Sequence, residues 1–258
     1  MKTIKSIVIT YTDGTVDNLP VPDPVVVPPP PPPAPLQVIP QDSKTWFSSV
    51  PQNDRTATRT YVVQNTVVND GGILLAQGIG NYVLKNVGNV AGSPNGGMYA
   101  VMLWPNALAD GTQQAVASLD WDNSEHPELI VHQGKAEAAF RGKCDNCTVK
   151  NVHFMAYPNG TKPVIEIRHG KSWTFIDCII DGGSYPEIGE QKTAQADGSV
   201  KLETSQQVGT VTFIRTKFTR WLGDAPNRRV YDRKPGVQKI VFTDCIDPDG
   251  NKFSLTVE

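Results

Sequence analysis

The sequence predicts an all-β chain built as a parallel β-solenoid, preceded by a short N-terminal β-hairpin and a polyproline linker. Three observations carry that expectation. Six stretches repeat one strand-and-turn pattern, an Asp-Gly pair sits between two short apolar runs near the start, and six prolines stand in a row between those regions.

The hairpin comes first. Residues 7–11 (IVITY) alternate as a strand, and Asp13-Gly14 supplies the pair favoured in a tight turn before Val16. A lone hairpin is marginally stable in water, so this one calls for a partner. Residues 1–19 are therefore expected to form a docking segment, with Ile7, Ile9 and Tyr11 as its contact residues.

Residues 20–40 form the second element. The run from Pro28 to Pro33 lacks backbone donors and has φ fixed near −65°, so it predicts polyproline II, a stiff spacer of roughly 3.1 Å per residue. Its Pro28 and Pro33 also offer a face of the kind that aromatic grooves of partners recognise.

Residues 41–258 are read as the solenoid. The repeats start at Tyr61, Tyr82, Cys147, Trp173, Val211 and Ile240, spaced 21, 65, 26, 38 and 29 residues apart. Each has an apolar residue, then Val or Thr, then another apolar residue; two places on stands Asn, Asp or Arg, and next Thr, Val or Cys. This is period-two alternation running into a polar turn. One repeat cannot bury its apolar face alone, but stacked repeats can, with equivalent side chains forming ladders. Asn65, Asn86, Asn151, Asp177, Arg215 and Asp244 form the expected turn ladder, their side chains bonding neighbouring backbone. Residues 91–140 are less regular: NALADGTQQAVASLDW suits a strand pair or a short helix, KAEAAF has helical composition, and one or two further coils belong there. Roughly eight to ten coils fit the region as a whole.

Composition narrows the function. The net charge is −2, with no long Lys/Arg run, which argues against nucleic acid as partner. A small basic cluster of Arg228, Arg229, Arg233 and Lys234 reads as a solvated loop. No stretch approaches the ~20 apolar residues of a membrane helix, and the first ten residues lack a signal-peptide pattern. Cys178 and Cys245 share one ladder position and read as small interior hydrophobes. Cys144 and Cys147 form a CxxC without the second pair a zinc site needs, so no metal is expected. The acidic group Asp120, Asp122 and Glu125 lacks the Gly and closing Glu of a calcium loop. With no P-loop, dinucleotide fingerprint or nucleophile elbow, no cofactor is expected either.

Glycoside hydrolysis needs two carboxylates about 5–10 Å apart. Asp177 and Asp244 hold equivalent positions with the Arg215 coil between them, roughly 10 Å apart at two rung spacings. Asp181 and Glu187 read as more exposed carboxylates at the mouth of a long insertion. Trp104, Trp121 and Trp221 fall in loop-like segments and would grip a glycan if they formed one exposed patch. Trp46 and Phe47 are placed to cap the N-terminal end of the solenoid.

Over residues 60–247 the apolar strand followed by Asn or Asp resembles the right-handed single-stranded parallel β-helix, or pectin-lyase-like, superfamily. The modular order of adhesive segment, spacer and solenoid is similar to that of bacteriophage virion proteins, and the opening SIVITYTDGTV looks like their short β-rich beginnings. The resemblance implies a non-enzymatic virion protein (capsid decoration, head fibre or tail-associated), made in the host cytoplasm. It also implies docking to other virion proteins, association with further copies as a homo-oligomer such as a trimer, and host-surface glycan as a further partner. The alternative it implies is a tailspike-like polysaccharide hydrolase or lyase, with Asp177, Asp181 and Asp244 as its catalytic candidates.

Overall fold

A computed structural model describes residues 6–10, 16–20, 37–39, 60–68, 74–77, 80–88, 100–104, 106–107, 113–133, 138–157, 163–182, 185–189, 193–194, 200–201 and 207–258. The chain divides into two compact units, Met1–Pro33 and Ala34–Glu258. Among the described residues the fold is all-β, with no helix.

In the first unit, strand Ser6–Thr10 pairs antiparallel with Val16–Pro20, in a register running from Ser6↔Pro20 to Thr10↔Val16. The backbones of Ile7 and Ile9 lie in this pair, while Tyr11, Pro28 and Pro33 are outside the described residues, as are Trp46 and Phe47.

Among the described residues the second unit is built on one open, largely parallel sheet of 17 strands. Its main ladder joins Thr60–Val68, Asn81–Gly88, Val116–Asp122, Phe140–Lys150, Ile165–Ile176, Val208–Ile214 and Val237–Ile246, each parallel to the next. The register is the one the repeats share: Tyr61, Tyr82, Leu119, Cys147, Trp173, Val211 and Ile240 stand opposite one another in series. Two residues on, Val63, Leu84, Trp121, Val149, Phe175, Phe213 and Phe242 form a second file, and every one of them is buried. Alternation produces this result because side chains two apart share a face of the sheet. Phe175, Phe213 and Phe242 stack ring on ring, with centroids 5.1 and 5.2 Å apart.

Two further parallel ladders complete the unit. One follows the turn and contains Ile130–His132, His153–Met155, Ile179–Asp181 and Lys217–Phe218, with Val131, Phe154, Ile180 and Phe218 buried in file. The other precedes the main strands and runs through Leu74–Gln77, Val101–Trp104, the first residues of Phe140–Lys150 and Ile165–Ile176, Pro186–Ile188 and Asp232–Arg233. Strand Gln37–Ile39 pairs in parallel with residues 66–68, so the sheet begins inside the stretch that the sequence assigns to the linker. At the other end Lys252–Val257 turns back and pairs antiparallel with Val237–Ile246.

The repeat starting at Leu119 lies inside the stretch where the sequence is least regular. Asn106–Ala107 and Gln113–Gln114 form an antiparallel pair, not a helix. Of KAEAAF, residues 138–140 are described; Ala138 and Ala139 are buried and Phe140 opens a strand.

Candidate functional site

Asn65, Asn86, Asn151, Asp177, Arg215 and Asp244 have φ of 52°, 53°, 54°, 53°, 48° and 50°, and they are the non-glycine residues at positive φ among the described residues. One left-handed residue between two extended segments turns the chain sharply from one ladder to the next. Asn and Asp tolerate that region best because their short polar side chains bond locally. The following residues, Thr66, Val87, Val152, Cys178, Thr216 and Cys245, are all buried. Those with a donor return it to the carbonyl two residues back: Thr66 Oγ1 to Gln64 at 2.9 Å, Cys178 Sγ to Ile176 at 3.4 Å, Thr216 Oγ1 to Ile214 at 3.4 Å and Cys245 Sγ to Thr243 at 3.6 Å. Thr, Val and Cys are therefore interchangeable here, being small and leaving no buried donor unsatisfied.

Several of these turn side chains bond side chains of a neighbouring repeat, where the sequence suggests neighbouring backbone. Asn86 Nδ2 donates to Asn65 Oδ1 at 2.8 Å, Asn151 Nδ2 to Ser124 Oγ at 2.6 Å, and Arg215 clamps Asp177 through Nε and a terminal nitrogen, both at 2.7 Å. Arg215 does stand between Asp177 and Asp244, in the register Ile176↔Ile214↔Thr243. Its hydrogen bonds hold the Asp177 carboxyl below the ordinary carboxylate range. A carboxyl with a depressed folded pKa stabilises the fold above the unfolded value of ~3.9 and loses that contribution as pH falls through the folded value. Asp177→Asn is therefore expected to cost less than about 1 kcal/mol at pH 7, the pair being exposed, with the difference from the parent shrinking in urea unfolding as the pH falls through the folded value.

Asp181 lies in the ladder after the turn, opposite Met155. Thr219 Oγ1 donates to its Oδ1 at 2.8 Å, and His153 Nε2 lies 3.2 Å from its Oδ2.

Glu187 is not an exposed loop residue: it is 4% exposed, within strand Pro186–Ile188. It belongs to a charged file in which Arg141, Glu166, Glu187 and Asp232 occupy successive register positions. Buried Arg168 binds both glutamates, at 2.8 Å to Glu166 and 2.6 Å to Glu187. Lys234 adds contacts of 3.5 Å to Glu187 and 2.6 Å to Asp232. Each carboxylate of the file thus has a cation within 4 Å, which is how buried charges are tolerated. The signal that marks it in the sequence is a second repeat offset from the first, in IEIR, PEIG and YDRK.

The Leu119 repeat has its own device. LDWDN places Asn123 at the turn position, but Asn123 is buried and not at positive φ. Its amide mimics a peptide group: Val87 N–H donates to Oδ1 and Nδ2 donates to the Val87 carbonyl, both at 3.0 Å, and Trp121 Nε1 also donates to Oδ1 at 3.0 Å. Residues 124–128 loop out and buried Leu129 takes the place of Val152, since Ile130 pairs with His153. On that loop Ser124 bonds Asp122, and Glu125 bridges Lys85 at 2.7 Å. Asn123→Ala would strand three buried polar groups, and a loss of about 2–3 kcal/mol is expected in denaturant unfolding.

The three tryptophans do not form an exposed patch. Trp121 is core, and only the backbone of Trp104 is described. Trp221 is half-buried beside a hollow of about 540 Å³, floored by Val230, Tyr231, Phe253 and Leu255. The Arg228 guanidinium lies 4.6 Å from the Trp221 ring centroid and pairs with Asp249 at 2.7 Å. No protein family, curated protein or solved structure matches this chain. The other basic residues of this region bond within the chain: Arg229 to Asp232 at 3.6 Å, and Arg233 to the carbonyls of Val237 and Glu258 at 2.7 and 2.8 Å.

All four cysteines are free and buried. Burial raises the thiols of Cys147 and Cys245 and pushes Cys178 up to about 12, so they serve as packing groups. Among the described residues no group of His, Cys, Asp and Glu is arranged to hold a metal.

Proposed function

We propose that the second unit is a right-handed single-stranded parallel β-helix and that the chain is a non-enzymatic structural protein of a bacteriophage virion. It docks to capsid or tail subunits through its first unit and projects the β-helix from the particle. The observation that carries this reading is the division into a small antiparallel strand pair and a long stack of in-register parallel repeats, with the unit boundary at the end of the proline run. A short strand pair has little core of its own and gains stability by docking.

The disposition of the carboxylates supports a structural role over hydrolysis. A polysaccharide hydrolase needs one carboxyl free to give a proton and another free to attack or activate water. Asp177 is clamped by Arg215, and Glu166 and Glu187, adjacent in register, are bridged by Arg168. These cations serve the packing of neighbouring repeats.

The test compares the full chain with a variant lacking residues 1–33. The truncated chain is expected to keep its far-ultraviolet β signature and to be absent from purified particles that incorporate the full chain. Equal incorporation of both would overturn docking through the first unit.

A further inference from the structure

Among the described residues, Lys252–Val257 is an edge strand of the main ladder. Lys252–Val257 pairs on one edge with Val237–Ile246, as Ile240↔Val257, Phe242↔Leu255 and Cys245↔Phe253. Ile240, Phe242 and Cys245 are core residues, and opposed residues of an antiparallel pair point to the same face. Phe253, Leu255 and Val257 therefore continue the core file by one strand, and no strand among the described residues pairs with their outer edge. Leu255 is 47% exposed, one of two large apolar side chains so exposed among the described residues. It borders the 540 Å³ hollow floored by Tyr231 and Phe253. Stacked-repeat folds cover such an end with a polar cap, and a free edge strand is a template for pairing.

We propose that this end is an interface to a second copy of the chain, formed by antiparallel pairing of the two Lys252–Val257 strands about a two-fold axis at Leu255. The strand's own pattern selects both occupant and register. A two-fold pairing that keeps both core files on one face must place odd-numbered residues opposite odd-numbered ones, because a one-residue slip sends every side chain to the wrong face. Centred on Leu255, the pairing sets Leu255 against the Leu255 of the other copy, Phe253 against Val257, and Lys252 against Glu258. The charged ends are thus complementary twice over, and Lys252 and Glu258 are both exposed. The Glu258 carboxylate already holds Lys239 at 3.3 Å and has room for a second cation, being 77% exposed. The shift centred on Ser254 instead leaves Lys252 facing Thr256 and Val257 facing Asn251. An isologous contact of this kind closes at two copies. The inference rests on the open end of the stack and not on any role in a particle.

Sedimentation velocity of the full chain between about 1 and 100 μM tests it. A dimer is expected. Lys252→Glu and Glu258→Lys should each weaken it about tenfold, since each replaces two attractive cross-strand pairs by repulsive ones. The double exchange should return affinity to within about threefold of the parent, a recovery that general destabilisation would not give. Leu255→Lys should sediment as a monomer, with circular dichroism confirming its fold. A monomeric parent across this range, a trimer, or a dimer indifferent to all four variants would overturn the proposal, and uptake of a glycan or another protein at a monomeric chain's hollow would replace it.

Discussion

Replacing Gly170 by Ala is expected to prevent the second unit from folding. Gly170 has φ +139°, a region that side chains rarely adopt, and an added Cβ would lie 1.7 Å from the carbonyl oxygen of Cys144. The site cannot relax easily. It lies just past a register shift in the pairing of Phe140–Lys150 with Ile165–Ile176, where Gly142↔Ile167 is followed by Lys143↔His169. The extra residue at that bulge is Arg168, so Gly170 lets the chain carry the arginine of the charged file and still return to register. Close to Gly170, Trp173 Nε1 donates to the His169 carbonyl at 3.2 Å. Backbone strain plus overlap with a carbonyl should cost about 4 kcal/mol or more, enough to leave the unit unfolded or insoluble. Gly250→Ala supplies the comparison, with φ +87° and nothing within 4 Å of the added Cβ. It carries strain alone and should cost about 1–2 kcal/mol in the same unfolding measurement.

Arg168→Met is the second large effect. The arginine is buried and shared by Glu166 and Glu187, and Lys234 contacts only the second of these. Removing it leaves Glu166 facing the Arg141 guanidinium at 3.5 Å, a longer contact to a more exposed group. Stranding buried carboxylates in this way costs about 3–5 kcal/mol, read as a fall in the denaturant midpoint at pH 7. Adding Glu166→Gln and Glu187→Gln to Arg168→Met should recover a large part of the loss, because the burden is uncompensated charge and not missing volume. A triple variant no better than Arg168→Met would show that the arginine acts through packing alone.

What the sequence reveals, and where it falls silent, follows from how local each constraint is. The turn residues are legible because a left-handed turn admits few residue types and the next position must be small and buried. That is why Asn65, Asn86, Asn151, Asp177 and Asp244 stand out, with Arg215 held at the same φ through its clamp on Asp177. The Leu119 repeat obeys the same apolar–x–apolar–x–Asn spacing, yet residues 124–128 displace its buried partner Leu129 from the adjoining position, so the pattern breaks where it is most diagnostic. The charged file is hidden for a different reason. Its register is set by the bulge that introduces Arg168, and a glutamate such as Glu187 next to glycines reads as a loop until Glu166 and Asp232 are seen on either side. The core that positions all of these was visible from alternation alone, as in Val63, Leu84, Phe213 and Phe242.

The most direct test of the functional account is cryo-electron microscopy of particles purified from cells that produce this chain. The account predicts density for the parallel stack projecting from the particle surface, with residues 1–33 held by capsid or tail subunits. Particles that lack the chain, while the soluble protein cleaves a polysaccharide, would contradict it.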